Sequence, residues 1–161
     1  MLLNSIKIAA LTALLILPAT GVIAALKTGD TAPSFSLKSL DGPITTLDEL
    51  TAKGHVMLIF WETECVYCFM HVKDFNKLHE QYYAKGLTLA AINFLGEHEQ
   101  EVKEYVSDNH VKYLMLTDRV KNIDVASDYK VFASPTIIVV SPDKKILYYG
   151  HKIPDVKQWI K

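Results

Sequence analysis

Cysteine is almost absent from this 161-residue chain, which has only Cys65 and Cys68. So few cysteines exclude a fold stapled by several disulfides. They also leave no second pair to complete a four-cysteine zinc site. An excess of one charge is lacking too: 17 Lys and Arg stand against 18 Asp and Glu, a formal net charge of -1. The basic residues are scattered, with no basic stripe, so there is no electrostatic case for nucleic acid as a partner. No internal repeat is present. Half the residues are hydrophobic and 22% are charged, which rules out a disordered chain. The length suffices for one domain with a real core and hardly for two.

Charge is also missing near the N-terminus, where Lys7 is the only charged residue before Lys27. Ile8 to Leu26 is almost entirely Ala, Leu, Ile, Val and Thr, broken by Pro18 and Gly21. A short basic start, an apolar run and the small residues around Val22-Ile23-Ala24 read as a secretory signal cleaved after Ala24. The run has 19 uncharged residues, about the minimum for spanning a bilayer, so an uncleaved membrane anchor is the competing reading. A buried core helix is a third, opposed by Pro18. The first two both place the rest of the chain beyond the cytoplasmic membrane, periplasmic or otherwise extracytoplasmic. Residues 1–26 are then signal peptide or anchor, and 27–161 the folded domain.

Along that domain, Phe35, Leu37 and Leu40 alternate up to an Asp41-Gly42 turn, and Ile44 to Leu47 continues the pattern as a hairpin partner. Thr46 with Glu49 reads as the capping box of a short helix. His55 to Trp61 is a continuous apolar run suited to a central strand buried on both faces. A long helix follows over Phe69 to Ala84, with Phe69, Val72, Phe75, Leu78 and Tyr82 at helical spacing and Gly86 as its stop. Leu87–Phe94, Tyr113–Leu116, Thr136–Val140 and Ile146–Tyr149 read as strands. His98–Asn109, Asp118–Tyr129 and Pro154–Lys161 read as helical. Strands alternating with helices before a closing hairpin predict an α/β sandwich with a mixed sheet.

The cysteines lie where the central strand gives way to the long helix, the place where open α/β sheets carry their reactive groups. A bridge across Cys-x-x-Cys closes so short a loop that it restrains the unfolded chain little, so chemistry explains the pair better than stability. A thiol reacts as its thiolate, and a helix N-terminus favours that charge. Cys65, at the helix start, is then the nucleophile. Cys68, one turn in, is placed to resolve a mixed disulfide on Cys65. His71 could join both cysteines in a metal site. Haem attachment would need His directly after the second cysteine, where Phe69 stands. Peroxidase chemistry on Cys65 alone would leave Cys68 unexplained.

Phe60-Trp61-Glu62-Thr63-Glu64-Cys65-Val66-Tyr67-Cys68 resembles the active-site segment of thioredoxin-like proteins, and Ala133-Ser134-Pro135-Thr136 resembles their second signature. Asp41-Gly42 with Leu47, then Asp118, Tyr129 and Ser141-Pro142-Asp143-Lys144, are similar to the TlpA-like and ResA-like extracytoplasmic branch. The resemblance covers about residues 30–152. It implies a thioredoxin fold: a mixed central sheet flanked by helices, with an N-terminal β-hairpin. It implies that Pro135 is cis and abuts Cys65. The backbone of Ser134 would then pair with a substrate strand, and Trp61 would cover part of the cysteine pair.

The chain departs from that pattern in instructive places. Val66-Tyr67 stands where the family often has proline, Ile59 where thioredoxin has a buried Asp, and His71 where many relatives have Glu. His71 can exchange protons near neutral pH and so replace that carboxylate. Glu62 and Glu64 flank the site, and negative charge near Cys65 would raise its pKa and favour a reductase over an oxidase. The remaining histidines (His55, His79, His98, His110 and His151) do not cluster in the sequence and read as surface or edge residues. The reading is therefore a thiol–disulfide oxidoreductase that reduces protein disulfides through a mixed disulfide on Cys65 and needs neither a dissociable cofactor nor a metal. Resemblance implies a membrane thiol electron donor and offers cytochrome c maturation as one destination. The rival readings are an oxidase of secreted proteins, and a non-enzymatic copper or zinc carrier using Cys65, Cys68 and His71.

Overall fold

Alternating apolar residues around a turn form the hairpin of β1 (Ser36–Lys38) and β2 (Ile44–Thr46), paired antiparallel. The computed structural model describes residues 25–160, so nearly all of the apolar segment read as signal or anchor lies outside the described residues. Thr46 caps α1 (Leu47–Thr51): its side chain accepts from the Glu49 N–H, and Glu49 accepts from the Thr46 N–H at 2.8 Å. Both halves of the capping box are present.

The run His55–Trp61 becomes β3, the centre of a five-stranded sheet. Around it come α2 (Val66–Tyr82), β4 (Leu87–Asn93), α3 (Glu99–Asp108), β5 (Leu114–Leu116), α4 (Val120–Asp128), β6 (Thr136–Val140) and β7 (Ile146–Gly150). The order is β5-β4-β3-β6-β7, with β3, β4 and β5 parallel and β6 and β7 antiparallel. Alternate residues of β3 feed opposite faces. Val56, Leu58 and Phe60 pack with α1, α4 and Tyr129, while Met57, Ile59 and Trp61 pack with both cysteines, α2 and α3. Burial on both faces is why this strand is a continuous apolar run.

The chain before and after β1 runs along both edges of this sheet. Gly29 and Ala32 donate to the carbonyls of Ile146 and Lys144 at 2.8 and 2.9 Å, and Ile146 donates back to Asp30 at 2.9 Å. On the far edge, Leu40 donates to the Met115 carbonyl and Thr117 to the Lys38 carbonyl, both at 2.9 Å.

Two expectations need correction. The C-terminal segment is a single 3-10 turn, Val156–Gln158, capped by Asp155, in place of a helix from Pro154 to Lys161. Asp155 accepts the Lys157 N–H at 3.1 Å, and the Trp159 and Ile160 N–H groups both return to the Val156 carbonyl, which closes one tight turn and starts no helical ladder. The long helix begins at Val66 and passes into a 3-10 turn over Tyr83–Lys85 before Gly86. Its buried stripe is Cys68, Val72, Phe75 and Tyr82. Phe69, which helical spacing sets in line with Val72 and Phe75, is 58% exposed, because Cys68 occupies the core position of that turn.

Candidate active site

The C-terminal ends of β3 and β4 and the start of β6 meet at one end of the sheet, since Trp61 pairs with Asn93 and Phe60 with Thr136. The cysteines sit on that end. Cys65 is the N-cap of α2 with extended backbone, and its Sγ accepts the Cys68 N–H at 3.0 Å. The two are joined as a disulfide with their Cα atoms 5.2 Å apart. Cys65 is 7% exposed and Cys68 is 4% exposed. An N-terminal turn directs unpaired N–H groups and the positive end of the helix dipole at the Cys65 sulfur, which favours its anionic form once the disulfide opens.

The Ser134–Pro135 peptide bond is cis. Ser134 Oγ donates to Glu62 Oε1 at 2.7 Å, tying the proline loop to the segment ahead of Cys65. Glu62 therefore faces the proline loop, while Glu64 is exposed. Trp61 is buried in the same apolar cluster as both cysteines and stacks on Tyr105, with ring centroids 4.5 Å apart. The apolar side chains open to a partner around the disulfide are instead Val66, Tyr67, Phe69 and Met70, all exposed. His71 Nδ1 pairs with Asp74 Oδ2 at 3.0 Å. Among the described residues, no three His, Cys, Asp or Glu side chains are grouped to hold a metal ion, so His71 is not assembled with the cysteines into a ligand set.

Three residues at this end escaped the sequence reading. The Glu97 carboxylate accepts the Thr63 N–H at 3.0 Å, the Thr63 hydroxyl at 2.6 Å and the Asn93 side-chain amide. Its own N–H donates to Asn93 Oδ1 at 2.9 Å. It thus pins the loop that carries Cys65 to the end of β4. Gly96 makes this turn possible, with φ at +66°, and a Cβ there would lie 2.7 Å from the Arg119 carbonyl oxygen. Among the described residues no partner meets the buried Tyr105 hydroxyl, and burial pushes its pKa up to about 12, so the phenol stays protonated.

His151, read as a surface residue, is exposed but lies at the proline loop. Its Nδ1 is 2.9 Å from the Pro135 carbonyl oxygen. Strand logic could have found both Glu97 and His151. The β4 end neighbours the β3 end, and the β6–β7 pairing of Ile137 with Gly150 sets residue 151 beside the start of β6.

Residues 28–149 match the AhpC/TSA family. The chain belongs to that family. Among curated relatives, it is similar to the thioredoxin-like protein YneN of Bacillus subtilis. The two are 32% identical over 117 residues, covering 71% of this chain and 66% of YneN. It is also similar to the thiol-disulfide oxidoreductase ResA of Oceanobacillus iheyensis, at 31% identity over 74% of this chain and 62% of that protein. The chain thus spans slightly under two thirds of the length of these relatives. Among solved structures it resembles the thioredoxin domain of a thiol-disulfide oxidoreductase from Bacteroides vulgatus. The TM-score is 0.72 and the identity 23%, over 83% of this chain and 95% of that one. A peroxidoxin, BcpB from Mycobacterium tuberculosis, also superposes, with a TM-score of 0.67 at 21% identity over 78% of this chain and 86% of that one. At such identities the likeness establishes the thioredoxin fold.

Proposed function

We propose that this chain is an extracytoplasmic thiol–disulfide oxidoreductase that reduces protein disulfides. The observation that carries the reading is the Cys65–Cys68 disulfide at the N-terminus of α2, with Cys65 itself as the cap. In the reduced protein the Cys65 thiolate attacks one sulfur of a substrate disulfide. A mixed disulfide forms, and one substrate thiolate leaves and takes a proton. Cys68, held one turn along, then attacks the Cys65 sulfur and expels the second substrate thiol. The protein is left as the disulfide described above, two electrons having passed to the substrate. A donor dithiol restores the starting state, and a membrane thiol carrier fits an extracytoplasmic enzyme.

The surroundings favour this cycle. Among the described residues, no backbone hydrogen bond engages Ser134, so its N–H and C=O are open to a substrate strand beside Pro135. The exposed ring of Val66, Tyr67, Phe69 and Met70 supplies apolar contact for a protein partner. Glu62, Glu64 and His71 tune the cysteine, and the two carboxylates oppose a strongly stabilised thiolate, which favours the reductase direction. Cytochrome c maturation is one destination we propose for such a reductase.

Cys65→Ser should abolish reduction of insulin disulfides, and Cys68→Ser should trap mixed disulfides with partner proteins. Survival of activity in Cys65→Ser would sink the assignment. Titration of the couple against dithiothreitol or glutathione decides direction. A potential near about -270 mV supports a reductase, and one near about -120 mV reverses the electron flow in favour of the oxidase reading.

A further inference from the structure

The two flanks of the disulfide differ in charge. On one, Cys65 borders a hollow of about 400 Å³ shared with Glu64, Tyr105 and Asp108. On the other, a cleft of about 450 Å³ opens beside the cis proline, lined by Tyr67 and His71 of α2, by Ser134 and Pro135, and by His151 and Lys152 beyond β7. The basic groups of this second cleft come from two elements distant in sequence and converge where a substrate strand would leave Pro135.

Each imidazole is oriented by an acceptor on its Nδ1. The Pro135 carbonyl can only accept, so His151 Nδ1 carries the proton, at 2.9 Å. Asp74 plays the same part for His71, at 3.0 Å. In both rings Nε2 is left for a ligand. Among the described residues, no ion pair engages Lys152. The carboxylates nearest this cleft are already committed or set aside. Glu62 accepts from Ser134, Asp74 is spent on His71, and Asp155 lies in the adjoining groove, where Lys77 and Lys157 accompany it.

We infer that this cleft selects substrates by charge. It takes an aspartate or glutamate side chain borne next to the exchanging cysteine of a protein disulfide, held by Lys152 and by the Nε2 atoms of His71 and His151. The inference rests on the oxidoreductase reading and adds to it a substrate class. Lys152 supplies a permanent charge, and the imidazoles supply directed hydrogen bonds. The acidic opposite flank repels a carboxylate, so a correctly oriented substrate gains on one side what a reversed one loses.

The test uses the full chain, reduced, and single-cysteine peptides presented as mixed disulfides with 2-mercaptoethanol. The peptides differ only in Glu, Gln or Lys at the residues flanking the cysteine. Each turnover consumes the protein dithiol and yields the protein disulfide, the peptide thiol and mercaptoethanol, and the rate is read from released peptide by chromatography. At low ionic strength the second-order rate constants should fall in the order Glu, Gln, Lys, with Glu above Lys by about threefold to fivefold, the range of an exposed ion pair. The preference should collapse in 0.5 M salt. Lys152→Glu should invert the order, and His151→Ala should narrow it. Equal rates for the three peptides, or an order unchanged by salt and by Lys152→Glu, overturn the inference. The uncharged bis(2-hydroxyethyl) disulfide separates the two levels. If it reacts while the peptides show no preference, only the charge selection fails. If neither it nor any peptide reacts, the oxidoreductase reading fails and takes the inference with it.

Discussion

Removing the Glu97 carboxylate tests what positions the loop ahead of Cys65. That group accepts from three donors: the Thr63 N–H, the Thr63 hydroxyl and the amide of Asn93. In Glu97→Ala the two Thr63 groups, which are only partly buried, can turn to water. Asn93 is wholly buried, so its amide is stranded. An unsatisfied buried donor costs about 1–3 kcal/mol, and exchanging charge-assisted bonds for water adds to that, so about 2–4 kcal/mol is expected in all. With a urea dependence of about 2 kcal/mol/M, the unfolding midpoint should fall by about 1–2 M.

Glu97→Gln should behave differently. With its oxygen turned toward the Thr63 N–H and Asn93, the glutamine amide can donate to the Thr63 hydroxyl, and all three contacts survive in neutral form. The expected loss is about 1 kcal/mol. Adding Thr63→Val to Glu97→Ala should cost little more, because the hydroxyl has already lost its acceptor. Urea unfolding of the oxidised proteins, followed by tryptophan fluorescence, measures all three variants beside the wild type. A Glu97→Ala protein within about 0.5 kcal/mol of wild type would refute the reasoning, as would Gln proving as costly as Ala.

Two tyrosines should respond oppositely to the same change. Tyr129 is wholly buried and donates to the Pro33 carbonyl at 2.7 Å, so Tyr129→Phe should cost about 1–2 kcal/mol. Tyr105 buries a hydroxyl with no partner among the described residues, so Tyr105→Phe should keep the contact with Trp61 and raise stability by about 0.5–1 kcal/mol. Calorimetric melting of both variants checks the signs. Glu99 lies between Lys38 and Lys103, at 2.9 and 2.7 Å, and the hydrogen bonds from Lys103 and Lys38, with their charges, lower its pKa to about 2. A carboxyl whose folded pKa is depressed stabilises above its unfolded value of about 4.3 and loses that contribution as pH falls toward 2. Glu99→Gln should therefore flatten the fall in urea midpoint across that window, and an unchanged acid limb would count against the pairing.

Much of this architecture was legible because its signals are local. The run His55–Trp61, the Thr46–Glu49 capping box and the Asp41-Gly42 turn each depend on residues near in sequence. Cys65 and Cys68 could be set at a helix start for the same reason. What escaped depends on contacts between distant segments. Phe69 has helical spacing, but spacing does not say which of two adjacent residues takes the core position, and Cys68 does. Glu97 reaches Thr63 across 34 residues, and His151 reaches Pro135 across 16. Each needs the strand register before it can be placed. Trp61 shows the limit in the other direction: its place beside the cysteines was readable, but its burial followed from the alternation of β3 and from the ring of Tyr105.

The N-terminal segment that runs along both edges of the sheet has a bearing on solubility. Unpaired strand edges invite another chain to add on, and here a single stretch covers β7 with residues 29–32 and β5 with residues 38–40. Trimming the chain back to α1 would therefore uncover both edges in one step. Such a shortened protein should form chains of molecules joined strand to strand while its redox end remains chemically intact. The segment least concerned with chemistry is thus the one that closes both edges of the sheet.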